Sequence, residues 1–212
     1  WKQEFTHSAE QQLALLGFVG VPVEDRPKSR LVVTDAAARS IDGRLRANMD
    51  ELALLHPVAR FAKKQGETEN FARTAEFLAS RGLRSVAVAA SHESEVLKDL
   101  LAESKVPIVT FDDLSLPEIT ALASKARLFV GNDSGIAHIA AAVGTPSVVV
   151  FGSSNRNHWR PWTPTNDVPN EIVFHPLPCQ PCPGYVCAEF GEPKCILSVP
   201  VASVLAAIER LL

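Results

Sequence analysis

Asp133, Ser134 and His138 lie close together in the segment Arg127–Gly152, which reads RLFVGNDSGIAHIAAAVGTPSVVVFG. Its residue types run as a short apolar strand, a Gly-Asn-Asp-Ser-Gly turn, a small-residue helix and a second apolar strand. A turn from strand to helix leaves backbone N–H groups unpaired at the positive end of the helix dipole, where a phosphate-bearing ligand can settle. The same residues also suit an Asx-type cap, with Asp133 or Ser134 serving orphan helix N–H groups and Gly135 supplying conformational freedom. His138 tips the balance toward a ligand site, because it falls one helical turn beyond Ser134 and so on the same face. An Asp, a Ser and a His at a helix N-terminus suit a diphosphate with attached hydroxyls. They do not make a hydrolase triad: Ser134 is outside any G-x-S-x-G elbow and His138 is too near it in sequence.

Two further loops carry polar side chains. HPVARFAKKQGETENF follows the first expected strand, and its Arg60, Lys63 and Lys64 are the densest positive charge near a strand end. A lysine there suits a diphosphate; solvated lysines at a helix start are the alternative. In Ser91-His92-Glu93, the Glu93 carboxylate suits ribose hydroxyls, and it equally suits a first-turn helix acid with Ser91 as N-cap.

The cysteines are all in one loop, as Cys179-x2-Cys182-x4-Cys187-x7-Cys195, among Pro178, Pro181, Pro183 and Gly184. A structural zinc site with four thiolate ligands is the sharpest reading. One or two disulfides come next, then free thiols, and an iron–sulfur cluster stays open. Any bonded arrangement would staple the loop at 175–196 ahead of the last helix.

The elements that position these residues follow from period and punctuation. Ser8–Leu16 reads as a helix with Gly17 just beyond, and Val21–Arg30 as a charged, proline-rich connector. From Leu52 onward, apolar runs at Leu52–Leu55, Ser85–Ala89, Ile108–Phe111, Leu128–Val130, Ser147–Phe151 and Glu171–Phe174 alternate with helical stretches. That rhythm predicts an α/β fold, a Rossmann-like parallel sheet flanked by helices. Phe71, Ala75, Phe77 and Leu78 precede a C-capping Gly82, and Val96, Leu97, Leu100 and Leu101 form a second apolar stripe. Ile136, Ile139, Ala140 and Val143 hold helical spacing before Gly144 and Pro146, and Ser198–Leu212 reads as a closing amphipathic helix. Ligands in such sheets bind at the carboxyl ends of the strands, where all the loops above lie.

GNDSGIAHIAAAVGTPSVVVFGSSNRNHW, with the Pro161–Trp162 step, resembles the donor-binding half of glycosyltransferase family 9, the ADP-heptose:lipopolysaccharide heptosyltransferase family. The resemblance extends to HPVAR with KKQGETENF, to AASHESE, to DDLSLPEITALASKARLFVGNDSG and to the cysteine-bearing tail, covering Leu52 to the end. It implies the C-terminal domain of a two-domain GT-B enzyme. Lys64, Asp133, Ser134, Gly135 and His138 would bind the donor diphosphate and sugar, and Glu93 the ribose. The implied chemistry is metal-independent transfer of a sugar, from a nucleotide-diphosphate donor such as ADP-heptose, to a lipid-linked lipopolysaccharide or related glycan acceptor. No cofactor is required for that catalysis. Two motifs depart from the family: its H-P-G-A is His56-Pro57-Val58-Ala59, and its K-x-W is Lys64-Gln65-Gly66, which removes an aromatic wall. The resemblance also places the acceptor site and the general base in an N-terminal domain, of which residues 1–50 would be the remnant and linker, with 51–212 the donor domain. No catalytic residue is then expected in this chain, which should bind donor without turning it over.

The 212 residues carry a net charge of −3 with both signs interspersed, so no basic stripe argues for nucleic acid. No apolar run is of membrane-spanning length and the opening residues are unlike a secretory signal, so a cytoplasmic setting is expected, with peripheral contact at the inner membrane face. The chain begins at Trp1 rather than Met, which makes a fragment the expectation. A reading from a different class is a non-catalytic α/β interaction module stapled by metal at the cysteine loop.

Overall fold

The computed structural model describes residues 5–45, 51–163, 167–182 and 184–212. Pro183 and the expected boundary at residue 50 lie outside the described residues. The element order is α1 (Ser8–Phe18), α2 (Asp35–Arg44), β1 (Leu52–His56), α3 (Thr68–Ser80), β2 (Arg84–Val88), α4 (Ser94–Glu103), β3 (Ile108–Phe111), α5 (Leu116–Lys125), β4 (Leu128–Asn132), α6 (Gly135–Val143), β5 (Ser147–Phe151), α7 (Arg156–Trp159), β6 (Asn170–Phe174), α8 (Lys194–Leu197) and α9 (Val201–Leu211). Single 3-10 turns at Ala62–Lys64 and Ser91–Glu93 precede α3 and α4.

All six strands run parallel in the order β3-β2-β1-β4-β5-β6. Parallel pairing with helical crossovers covers both faces of the sheet, which is why the strands read as continuous apolar runs. Period-2 alternation then divides the core. On β1, Ala53 and Leu55 face a core shared with Phe71, Leu78, Leu97, Leu100, Val204 and Ile208 from α3, α4 and α9. Leu52 and Leu54 face the other core, with Leu122 of α5 and Ala137 and Ala140 of α6. Ala37 and Ile41 of α2 pack into that second core, so residues before 50 form part of the domain's packing.

Several boundaries differ from expectation for local reasons. α1 runs through Gly17 to Phe18 and ends at Gly20, whose φ of 87° reverses the chain. The closing helix starts at Val201 rather than Ser198, because Pro200 has no N–H to give and is tolerated only at the helix start. Gly82 and Gly144 do end α3 and α6, with φ of 81° and 91°. α5 opens at Ser115, whose N–H donates to Glu118 Oε2 at 2.8 Å, while Ser40 of α2 donates to Glu118 Oε1 at 2.6 Å. Among the described residues, no helix is long and apolar enough to cross a membrane.

Candidate functional site

The parallel sheet brings its carboxyl-end loops to one edge, and there a cleft of about 770 Å³ opens between the loops after β1, β2, β3 and β4. Lys64, Glu93, Asp133, Ser134, Gly135 and His138 all line it, so the polar residues singled out in sequence are brought together. Lys64 Nζ donates to Asp133 Oδ2 at 2.8 Å. That pair joins the loop after β1 to the loop after β4.

The capping role considered for Asp133 and Ser134 is not what their side chains do. Ser134 occupies the N-cap position of α6 with extended backbone, but its side chain makes no cap hydrogen bond. Its hydroxyl shares a 3.1 Å hydrogen bond with His56 Nδ1 instead, while the Asp133 carboxylate serves Lys64. α6 therefore begins without side-chain capping, its first-turn N–H groups and positive dipole end facing the cleft. Gly135 does not adopt a left-handed φ, so conformational freedom is not its contribution. A Cβ built on it meets nothing within 4 Å, and its bare backbone keeps the cleft open beside the helix start.

Burial fixes the charge of the two histidines here. His56, 8% exposed, is pushed down to about 4 by desolvation and is neutral at physiological pH. His138 is also held below its ordinary value, chiefly by burial, with the Asp133 carboxylate pulling the other way. Both are hydrogen-bonding groups rather than cations near neutrality.

Glu93 lies at the far end of the cleft, and its Oε2 accepts the Ala90 N–H at 3.1 Å. Ser91 is not the cap of this turn: its hydroxyl donates to the Asp112 carbonyl at 2.7 Å. Arg60 and Phe61 line the cleft as well, and Lys63 does not. Lys63 is 6% exposed and turns the other way, donating to the Cys182 carbonyl at 3.1 Å.

The two departures from the family pattern fall outside the cleft wall. Val58 packs in the core under the sheet, and Gly66 lies against Asn132, Phe71 and Ile196. Phe61 and Trp159 supply aromatic surface to the cleft.

Several positioning residues escaped the sequence reading. Asn132 is fully buried, accepting the Gly66 N–H at 3.2 Å and donating to the Pro57 carbonyl at 2.8 Å. It therefore ties both ends of the Lys64 loop to the end of β4. The signal was its place beside Asp133, a polar residue at the end of an apolar strand. His56 offered only its place in the H-P step, and Phe61 and Trp159 offered no spacing at all.

All four cysteines line a single cavity of about 140 Å³ beneath their loop. They are free thiols, and Cys195 is pushed up by burial and by its neighbours Cys179 and Cys187. Among the described residues, no three His, Cys, Asp or Glu side chains are spaced to hold a metal ion. The loop is clamped to the turn after β5: Gln180 Nε2 donates to the Gly152 carbonyl at 2.6 Å, and the Cys182 N–H to the Ser153 carbonyl at 2.9 Å.

Comparison with known proteins bears on the fold and the family of the chain. The chain is 31% identical over 231 residues to lipopolysaccharide heptosyltransferase 3 of Escherichia coli K12, covering 100% of this chain and 64% of that protein. It therefore spans just under two thirds of that relative's length. Its fold matches the glycosyl transferase family 9 structure from Veillonella parvula at TM-score 0.83, with 17% identity over 99% of this chain and 61% of the other. It also matches E. coli heptosyltransferase WaaC with ADP at TM-score 0.67, with 19% identity over 98% of this chain and 57% of the other. Residues 3–191 match glycosyltransferase family 9 (heptosyltransferase), and the chain belongs to that family.

Proposed function

We propose that this chain is the donor-binding part of a heptosyltransferase that takes a nucleotide-diphosphate sugar, ADP-heptose, and passes the sugar to a lipid-linked glycan acceptor of the lipopolysaccharide class. The observation that carries this reading is the Lys64–Asp133 pair at the uncapped start of α6 in an open cleft. A diphosphate inserted there meets an ammonium and a helix dipole, both complementary to an anion. The ADP in the WaaC structure supports the choice of base.

In the reaction an acceptor hydroxyl oxygen attacks the anomeric carbon. The bond from that carbon to the diphosphate oxygen breaks with its electron pair, and the acceptor proton passes to a general base. Lys64 and the start of α6 stabilise negative charge building on the departing diphosphate. Ser134, oriented by neutral His56, and His138 offer hydrogen bonds to phosphate or sugar oxygens, and Glu93 to the ribose. None of the described cleft residues is assigned as the base, which the reading places in the remaining part of the protein. Work at the cytoplasmic membrane face is part of the same proposal. So is stapling of the cysteine loop by zinc or disulfide, for which the convergence of four thiols on one cavity is the support. As placed, the thiols do not form a ligand set, and no catalytic step depends on one.

Calorimetric titration with ADP, UDP and GDP tests the reading. ADP should bind saturably and more tightly than the other two. Absence of binding by all three would overturn it.

A further inference from the structure

Next to Glu93 the cleft has an apolar wall, made by Leu114, Leu116 and Ile119. Leu114 belongs to the loop after β3, and Leu116 and Ile119 to the first turn of α5. β3 is an edge of the sheet, paired with β2 on one side, so no further strand steadies the loop that leaves it. α2 takes that place.

Arg44, the last residue of α2, donates from Nη1 to Asp113 Oδ1 at 2.7 Å. Its Nε lies 3.8 Å from Glu118 Oε1, and its guanidinium 5.8 Å from the centre of the Phe111 ring. One turn earlier on α2, Ser40 donates to the same Glu118 oxygen at 2.6 Å. The other Glu118 oxygen accepts the Ser115 N–H at 2.8 Å and the Ser115 hydroxyl at 2.6 Å. These donors pull the Glu118 carboxyl down to about 2, so it stays charged throughout the physiological range. An isolated ion pair at a surface holds little, but here one guanidinium and one hydroxyl of α2 grip two carboxylates that bracket the loop. From the β2 side, Ser91 donates to the Asp112 carbonyl at 2.7 Å. Arg44, Asp113 and Glu118 do not line the cleft, yet Leu114 is the neighbour of Asp113 and Ile119 that of Glu118. Whatever moves the two carboxylates moves the wall.

We propose that Arg44 is a positioning residue for the nucleoside of the donor: acting through Asp113 and Glu118, it fixes the apolar wall at 114–119 against which the base lies. The inference rests on the donor-binding reading above, with ribose at Glu93 and diphosphate at Lys64. It gives the segment before residue 50, expected from sequence to be a remnant and linker, a part in the donor site.

The test is titration with ADP of the purified chain and of its Arg44→Ala, Arg44→Lys, Asp113→Ala and Arg44→Ala/Asp113→Ala variants, with pyrophosphate affinity read from its displacement of ADP. The Arg44 side chain is 34% exposed and that of Asp113 55%, so these substitutions remove no core packing, and thermal melts check this. Arg44→Ala should weaken ADP about fivefold and leave pyrophosphate unchanged, because pyrophosphate has no nucleoside to meet the wall. The double variant should be no weaker than Arg44→Ala alone. Arg44→Lys should recover part of the loss, its single ammonium reaching one carboxylate where the guanidinium serves two. Equal weakening of both ligands, additive losses in the double variant, or unchanged ADP affinity in Arg44→Ala would each overturn the positioning role while leaving the donor site standing. Failure of the unsubstituted chain to bind ADP, or to release it to pyrophosphate, would instead overturn the donor reading and the positioning role with it.

Discussion

Lys64 Nζ and Asp133 Oδ2 meet at 2.8 Å across neighbouring strand ends, so the cation best placed for a diphosphate is already held by a carboxylate that is almost fully buried. The pairing holds the lysine side chain in place before any ligand arrives. An incoming phosphate has only to share the ammonium, which has three donors.

Lys64→Ala should therefore weaken ADP binding about 10- to 100-fold, the equivalent of one charge-assisted hydrogen bond. Asp133→Ala should weaken it less, since it disorders the lysine without removing it. Calorimetry on both variants checks the ranking.

Asn132→Ala touches no ligand yet should act on the same measurement. The change deletes a fully buried carboxamide and leaves the Gly66 N–H and the Pro57 carbonyl without their partner, at about 1–3 kcal/mol of stability. The loop carrying Lys64 loosens with it. Urea unfolding should report the lower stability, and ADP titration a weaker site.

Glycine substitutions should separate fold from function. A Cβ on Gly131 would come within 2.5 Å of Phe129 Cζ, and one on Gly152 within 2.7 Å of the Lys63 carbonyl and 2.9 Å of Ile196 Cβ. Alanine at either position should cost about 1–3 kcal/mol through overpacking. Gly135→Ala meets open space, so its melting temperature should stay close to that of the unsubstituted chain while ADP affinity falls. Thermal melts alongside titration distinguish the two behaviours.

Stability should also fall in mild acid. His56 titrates at about 4 in the fold against 6.5 when exposed, so between those values the unfolded chain takes up a proton that the folded chain refuses. Stability is then complete above pH 6.5 and declines as pH drops toward 4, by up to about 1.4 kcal/mol per pH unit. Burial lowers His138 as well, adding in the same direction. Urea melts at intervals between pH 7 and pH 4.5 check the slope, and a flat profile would contradict it.

Much of this site was legible because the strands are apolar runs and the turns between them are polar. Runs such as Ser147–Phe151 have no alternative to burial in a parallel sheet, and their ends then locate the loops. Lys64, Asp133 and His138 could be found because strand ends in such a sheet converge. The contacts between loops were not legible. Nothing in the spacing of Asn132 and Gly66, or of Lys63 and Cys182, signals that they meet, since those hydrogen bonds depend on the three-dimensional order of strands distant in sequence. α2 was missed for a related reason: Ala37 and Ile41 form too small an apolar stripe to stand out, and packing against α5 completes it. The cap reading of Ser134 failed because residue type cannot reveal a competing partner, here His56.

The three bonds that fasten the cysteine loop, from Gln180 to Gly152, from Cys182 to Ser153 and from Lys63 to Cys182, bear on the entropy of binding as well as on architecture. They merge the loops after β1, β5 and β6 into one body, leaving them little freedom to mould themselves around different ligands. Recognition on this side of the molecule should then resemble a key entering a finished lock, with little ordering entropy lost on association. A change of ligand preference over evolutionary time would come from exchanging the side chains on that body rather than from bending it.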